Sequence, residues 1–384
     1  MTAVPAVYIK SDSFMNLRTR QPDSMARARE RISALQKCHD PTGTPAVPDQ
    51  GILQQVFRDL TNPAADSPAF RLTPMVADEL NSYVDDQLPR YLVHRYRYDI
   101  HPRIYRTDEF PPCLQIEPAS VCNFRCVFCY QTNRSFTRKT GGHMGTMTLG
   151  LFRRIVDQAE GQVEFVTLAS RGEPLLCPDL EAMLSYARGK FLNLKLNTNA
   201  SLLDERMCHA ILQAGVKTLV FSADAGEEPL YSELRVGGSL SKVMANIERF
   251  QKLRETHYAG SGILTRVSGV KFKDSQEMDA LERVWGGLVD QVAFVHYHPW
   301  ENTYERPANG VETPCSDLWR RCFVWFDGTV NPCDVDYLST LSVGNIQTAS
   351  ISELWRSARY EELRRQHLSK MRQTRIPCRM CSLV

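Results

Sequence analysis

Three cysteines sit in the stretch Cys122-Asn-Phe-Arg-Cys126-Val-Phe-Cys129, spaced C-x3-C-x2-C just after an apolar run over 114–120. Thiolates at such close, loop-borne spacing hold iron–sulfur clusters. Three ligands leave one corner of a cluster open to a substrate or cofactor, as open catalytic metal sites do. Tetrahedral zinc is the alternative, but it wants a fourth ligand close by, and no C-x2-C or H-x3-H follows within this loop. A second group, Cys315, Cys333, Cys378 and Cys381, lies near the other end of the chain. Four thiolates fill a cluster completely, which suits electron transfer rather than substrate binding. A zinc ribbon uses four cysteines around a hairpin as well, and the spacing alone leaves both open. The Asp327-Gly328 turn predicts a hairpin that brings Cys315 and Cys333 together. A helix over 353–371 then returns the chain to Cys378 and Cys381.

These motifs must be positioned, and the stretch from 114 onward alternates strictly. Strands are expected at 114–120, 163–170, 192–200, 218–225, 263–270 and 291–298, with helices at 148–160, 179–190, 203–214, 240–255 and 275–288. Apolar strands alternating with helices of this length argue a parallel sheet with right-handed crossovers. Six strands do not decide whether that sheet is open or curled. Before it, residues 1–110 show helical spacing at 25–36, 51–60 and 73–98, broken by Pro41, Pro45, Pro48 and Pro63. This extension reads as a helical cap, a substrate-side lid or a packing extension. Cys38 and Cys113 have no close cysteine partner and read as buried thiols.

With Phe128 before its last cysteine, and placed after the first strand of the alternation, the cysteine loop resembles the radical S-adenosylmethionine (radical SAM) superfamily. The resemblance covers about residues 112–384 and implies a partial six-stranded (β/α)6 TIM-like barrel. Its chemistry lies at the carboxyl ends of the strands, as in other α/β barrels. It implies that Cys122, Cys126 and Cys129 ligate a 4Fe–4S cluster and that S-adenosylmethionine chelates the open iron. Reductive cleavage then gives a 5′-deoxyadenosyl radical that takes a hydrogen atom from substrate; such chemistry belongs to the cofactor, and the protein supplies position and exclusion of water.

Ser170-Arg171-Gly172-Glu173-Pro174 matches the family's Gly-Glu-Pro motif, with Arg171 in place of the usual first glycine. There Glu173 is implied to hold the cofactor's ammonium through a charge-assisted bond; an ordinary strand-to-helix turn is the alternative. The resemblance also turns Phe128, Tyr130, Asn197, Asn199, Ser222 and Asp224 toward the cofactor, with Ser222 a candidate for the ribose. Arg235 and Arg266 each offer a planar fork for the cofactor carboxylate, or are ordinary salt-bridge partners. The C-terminal cysteines resemble the auxiliary-cluster module of such enzymes (twitch/SPASM-like), which implies a second 4Fe–4S cluster. The domains are then 1–110, helical extension; 111–305, radical SAM core; and 306–384, auxiliary module.

Candidates for the chemistry after hydrogen abstraction are His296 and His298, which share one face of the last strand, and Asp334, Asp336 and Tyr337, which leave the auxiliary site directly. Cys322 reads as a spare ligand, a hydrogen-atom donor or an inert thiol. A small module without a recognisable peptide-binding leader domain implies a sugar, aminocyclitol or other small polyol as substrate, with oxidation, epimerisation or dehydration as the outcome. A ribosomal-peptide-modifying enzyme is the rival with the same chemistry. A non-enzymatic iron–sulfur or zinc scaffold is the rival of another class, and it has no need of the 171–174 and 222–224 contacts. An external one-electron donor such as flavodoxin or ferredoxin is the expected partner. A net charge of +2, with both signs interspersed, gives no argument for nucleic acid. No run of eighteen apolar residues suggests a membrane span. Twelve cysteines in a large chain whose start lacks a signal-peptide pattern point to a reducing, cytoplasmic compartment.

Overall fold

The computed structural model describes the backbone of residues 18–19 and all of 23–38, 49–62 and 68–384; Pro41, Pro45, Pro48 and Pro63 lie outside these. Six strands run parallel and side by side in chain order: β1 (Cys113–Ile116), β2 (Phe165–Leu168), β3 (Asn193–Thr198), β4 (Thr218–Ser222), β5 (Leu264–Lys271) and β6 (Gln291–His296). The helices expected between them form as α5 (Leu149–Ala159), α6 (Leu180–Ala187), α7 (Glu205–Gln213), α9 (Leu240–His257) and α10 (Met278–Gly286). Not anticipated were the one-turn helix Arg134–Thr137 and α8 (Glu228–Leu234), which begins with a proline in its first turn. The apolar face of each crossover helix packs on the sheet, and one core runs from Leu114 through Leu196 and Phe221 to Trp285 and Trp355.

The sheet does not close. Its β6 edge takes the two-residue strand Arg18–Thr19, antiparallel. Its β1 edge takes β7 (Arg321–Val324), which is parallel to β1 and belongs by sequence to the C-terminal module. The architecture is a partial α/β barrel with an Fe–S-type module built onto its first strand. β7 turns through Gly328, at φ +86°, into β8 (Thr329–Asn331), which pairs with β9 (Gly344–Asn345). The Asp-Gly hairpin therefore forms where expected. The helix expected over 353–371 is two helices, α11 (Ile351–Trp355) and α12 (Ala358–Leu368), because Ser357 stops the first and caps the second by accepting from Tyr360 N.

The N-terminal helices are α1 (Ser24–Cys38), α2 (Gln50–Thr61), α3 (Pro74–Asn81) and α4 (Leu88–Asp99). The expected single helix over 73–98 breaks after Asn81, where Arg31 takes up the exposed carbonyls of Leu80 and Tyr83 at 3.1 and 2.7 Å. These helices share a core that reaches Phe165 and Leu192, at the amino ends of β2 and β3, and His94 stacks on Phe165 at 3.8 Å. The extension therefore packs under the barrel, at the end away from the cysteine loop, and is not a substrate-side lid. Cys113 is buried on β1 as expected, whereas Cys38 ends α1 exposed.

Candidate active site

The cysteine loop is held by the strand ends around it. Gln131 Nε2 donates to Ser120 O at 2.7 Å and to Arg171 O at 2.5 Å, tying the loop to the ends of β1 and β2. Asn123 donates to Ser201 and accepts from Asn199, which ties it to the end of β3. Cys126 lies on a two-residue ribbon with Arg235–Val236, opposite Arg235 itself. Gly172 is required by contact: a Cβ there would lie 2.3 Å from Val121 O and 2.5 Å from Ala119 O. The backbone of the cysteine loop can approach the motif after β2 only because that residue has no side chain.

All three cysteines are half-buried and none is in a disulfide. Burial pushes each above its ordinary value, Cys122 to about 11, and for Cys129 the nearby Cys126 and Cys122 add to this. Isolated thiols so placed are poor nucleophiles, whereas iron deprotonates a coordinating thiol outright. The set thus fits a cluster better than covalent catalysis. Beside it opens a cavity of about 280 Å³ at the carboxyl ends of β4, β5 and β6. Phe128, Cys129, Tyr130, Ser222, His296 and His298 line it, and Asp224 and Arg235 form part of its wall. Gly269 keeps that wall open to the end of β4, since a Cβ would sit 2.3 Å from Ala223 O.

Glu173 is buried and anchors its own loop. Its carboxylate accepts from Leu175 N at 3.1 Å, Thr198 Oγ1 at 2.6 Å and Asn199 N at 2.7 Å. Burial raises its pKa, and those three donors pull it back down. A carboxylate has about four lone-pair sites, so these bonds leave one unused, although Glu173, like Asn197, is not among the residues that line the cavity. Pro174 opens the short turn that follows. Asn199 spends its side chain on Asn123 and Ser201, and Asn197 is half-buried on β3 without lining the cavity. Asp224 is fully buried, accepts from Val270 N at 2.7 Å and pairs with Arg235 at 2.5 Å. Arg235 also reaches Cys126 Sγ at 3.8 Å. It is therefore an ion-pair partner that shields the cysteine loop, in place of a free fork for a carboxylate.

Several expectations need correction. Arg171 does not face the cofactor: its guanidinium forms a two-pronged pair with Glu117, both contacts 2.7 Å, donates to Tyr337 O and lies 4.2 Å from the Trp325 ring. Arg266 is on β5 but near its amino end, bound to Gln291 in a cavity at the opposite end of the barrel. Cys322 is fully buried on β7 against Leu114, with its pKa pushed up to about 12 by burial; it is a core thiol and reaches no substrate. Asp336 is no free base, because it accepts from Tyr304, the Thr340 amide and hydroxyl, and Leu341 N. Tyr337 is buried, stacks on Tyr130 at 4.8 Å and bonds Asn133 at 3.0 Å. Of the candidates outside the cysteines, His296 is exposed in the cavity, and His298 Nδ1 approaches Ser382 Oγ at 3.5 Å. Asp334, half-buried, lies close enough to Tyr130 to raise its pKa.

Glu117 is the residue that the sequence reading missed. It is fully buried, holds Arg171 and accepts from Phe326 N. A charge inside the otherwise apolar run 114–120 was its signal, since a carboxylate is almost never buried unpaired.

The C-terminal thiols come from three places: Cys315 before a short turn, Cys333 after β8, and Cys378 and Cys381 around the turn Cys378–Met380. Burial raises the Cys378 thiol, and Cys381 and Cys315 are near enough to raise it further. Arg372 shapes the turn by donating to the carbonyls of Thr313, Cys378, Cys381 and Leu383. Cys315 N donates to His367 Nδ1 at 3.1 Å, an acceptor kept neutral by burial. None of the four half-buried thiols is in a disulfide, and Cys315 and Cys381 lie near Cys378. Among the described residues no three ligating side chains are close enough to hold a single metal ion, and four thiolates are the donor set of a fully ligated cluster.

An open α/β barrel with a three-cysteine loop over a cavity, and a four-cysteine module on its first strand, defines a cluster-dependent enzyme class. The radical SAM superfamily model matches residues 116–266, and the SPASM model, an iron–sulfur cluster-binding domain, matches residues 315–382. The chain is a radical SAM enzyme with a SPASM-type module, which implies S-adenosylmethionine, the radical SAM 4Fe–4S cluster and an auxiliary cluster. It is 24% identical over 301 residues to the tungsten-containing aldehyde ferredoxin oxidoreductase cofactor-modifying protein of Pyrococcus furiosus, spanning 64% of this chain and 81% of that one. It is 25% identical over 289 residues to the PqqA peptide cyclase of Gluconobacter oxydans, spanning 64% and 76%. The structure of Streptococcus suis SuiB bound to S-adenosylmethionine shares the fold at a TM-score of 0.51 and 17% identity, covering 75% of each chain. Among the described residues, no helix is long and apolar enough to cross a membrane.

Proposed function

We propose that the enzyme oxidises a secondary alcohol of a small polyol, a sugar or aminocyclitol, to the ketone. The observation that carries this reading is the place of Cys322. Epimerisation needs a hydrogen-atom donor within reach of the substrate carbon. Cys322 is sealed in the core, and the cavity wall offers one thiol, Cys129, which belongs to the cluster loop. When bound, the two clusters and S-adenosylmethionine supply the 5′-deoxyadenosyl radical and a second acceptor for one electron.

The chain supplies the rest. Glu173 offers its remaining lone pair to the cofactor's ammonium, and Ser222 faces the cavity where a ribose would lie. His296, exposed in the cavity, is the side chain placed to take the hydroxyl proton. Loss of a hydrogen atom, then of that proton and one electron, turns the alcohol into a ketone; a cluster held by Cys315, Cys333, Cys378 and Cys381 would be the acceptor for that electron. The stacked Tyr130 and Tyr337 lie between the Cys129 loop and the segment that follows Cys333.

Similarity to a peptide cyclase favours a peptide as the second reading of the substrate. The test is anaerobic reconstitution with a one-electron reductant, offering polyols and peptides in heavy water. The expected product is lighter by two hydrogen atoms, carries no solvent deuterium at carbon and is made equally well by Cys322→Ala. A product heavier by one mass unit, with a single solvent deuterium at one carbon, overturns oxidation in favour of epimerisation, and its loss in that variant names Cys322 as the donor. Loss of water marks dehydration, and turnover of peptides alone replaces the polyol.

A further inference from the structure

A second concentration of charge lies outside the site just described. A cavity of about 110 Å³ opens at the amino ends of the barrel strands, between the sheet and the N-terminal helices. One water occupies about 10–15 Å³ on this measure, so the space admits a group of several heavy atoms. Lys195 of β3, Arg266 of β5, Arg321 of β7, the adjoining Arg320, and Arg95 of α4 line it. Cationic side chains thus converge from three strands and a helix.

Most of these cations are already matched. Arg95 pairs with Asp99 at 2.8 Å and with Glu79 at 3.7 Å. Arg320 pairs with Asp317 at 3.1 Å, and Arg321 lies 3.8 Å from the same carboxylate and donates to the Tyr98 hydroxyl. Arg266 donates twice to the neutral Gln291 and feels Glu79 and Asp78 at longer range. Lys195 is different. It is surrounded by protein, faces the cavity and has neither hydrogen bond nor ion pair, its surroundings being Arg266, Arg321, Cys113 and Glu79. With Asp78 and Asp317 counted beside Glu79 and Asp99, the cations still outnumber the carboxylates, and Lys195 is the one left over.

Lys195 is half-buried on the cavity wall, and an ammonium held away from bulk water without a partner is a costly arrangement. Thr167 and Thr218 on the adjacent strands add hydroxyl donors to the same wall. We infer that this cavity is a binding site for a tetrahedral oxyanion, a phosphate or sulfate group, with Lys195 as its central contact and the forks of Arg266 and Arg321 beside it. A lysine serves such a group as a point charge, and the Arg266 and Arg321 guanidinium groups, whose forks are engaged with Gln291 and Tyr98, add positive charge beside it. Separately, burial and then the neighbouring Arg266 and Arg321 hold the Lys195 ammonium down to about 7. An anion beside it reverses that repulsion, so binding takes up a proton near neutral pH.

The test uses the full-length, cluster-loaded protein under anaerobic conditions. Inorganic phosphate, sulfate and glycerol phosphate are titrated calorimetrically against sodium chloride of matched ionic strength, at pH 6.5 and 8.5 and in buffers of different ionisation heat. One site per chain is expected, selective over chloride, tighter at the lower pH and coupled to proton uptake. Lys195→Met should weaken it at least tenfold and leave S-adenosylmethionine cleavage unchanged, with Arg321→Met as a second substitution on another strand. Glycerol phosphate binding as well as phosphate assigns the site to a phosphate ester; phosphate alone assigns it to the free ion. A wild-type protein that does not distinguish phosphate or sulfate from chloride overturns the inference, whatever the variants do. So does undiminished binding in both variants.

Discussion

The two ends of this barrel treat charge in opposite ways. At the carboxyl ends of the strands, buried ionic groups are matched to one another: Glu117 with Arg171, Asp224 with Arg235, and Glu173 with three donors. At the amino ends the cationic side outnumbers its partners, and a lysine stands alone. The lesson is that buried charges at the catalytic end are scaffold, holding loops whose thiols and cavity do the binding. The surplus at the far end has no such structural use.

The largest effect that would break this comparison is at the thiols. Cys122→Ala, Cys126→Ala and Cys129→Ala combined should abolish 5′-deoxyadenosine formation while keeping about half of roughly eight irons per chain. Iron analysis and chromatography check it; full loss of iron would mean that the auxiliary site cannot fill alone.

Next comes the scaffold. Glu117→Gln leaves the Arg171 guanidinium buried against a neutral amide, and breaking one side of a buried pair costs about 3–5 kcal/mol. A fall in the thermal midpoint is expected, with part of it recovered in Glu117→Gln/Arg171→Met. If Glu117→Gln is as stable as the parent, the pair is not what fastens the module to the core.

A smaller effect is expected at the cofactor. Glu173→Gln keeps shape and removes charge, and should weaken S-adenosylmethionine binding by roughly 1.5–3 kcal/mol. Calorimetry under reducing conditions reads it, and equal affinity would confine Glu173 to loop anchoring.

The smallest effect sharpens the far end. Lys195 is depressed in the folded state to about 7, below its unfolded value of 10.5, so between those values the unfolded chain binds the extra proton. Stability in chloride should therefore rise with pH from 7, by up to about 1.4 kcal/mol per unit. The raised Cys113 thiol beside it acts in the opposite sense as pH approaches and passes about 8.5, where the unfolded thiol ionises first, so the difference between parent and variant is the quantity to read. Chemical denaturation at several pH values should show this slope in the parent and a flatter one in Lys195→Met. Equal slopes would place the lysine in ordinary solvent.

Legibility followed the range of the interaction. The cysteine motifs are local, and so is the strand–helix alternation; both were readable, down to the Asp327-Gly328 hairpin. Strand periodicity gives a residue's face and says little about its height, which is how Arg266 was assigned to the cofactor although it is only the third residue of β5. Cys322 was judged by nearness in sequence to Cys315 and Cys333, but pairing with β1 carries it into the core. Arg171 was read from its motif position, and its partner Glu117 lies on another strand, where a single chain gives no pairing information.

The placement of β7 also bears on how the molecule is made. During synthesis the barrel strands emerge first, yet the β1 edge stays unpaired until almost the entire barrel sequence has followed and β7 appears. An open edge of that kind invites pairing with other chains. The C-terminal segment thus acts as the finishing strand of the sheet, and a ribosome stalled before it would present an unfinished, association-prone barrel.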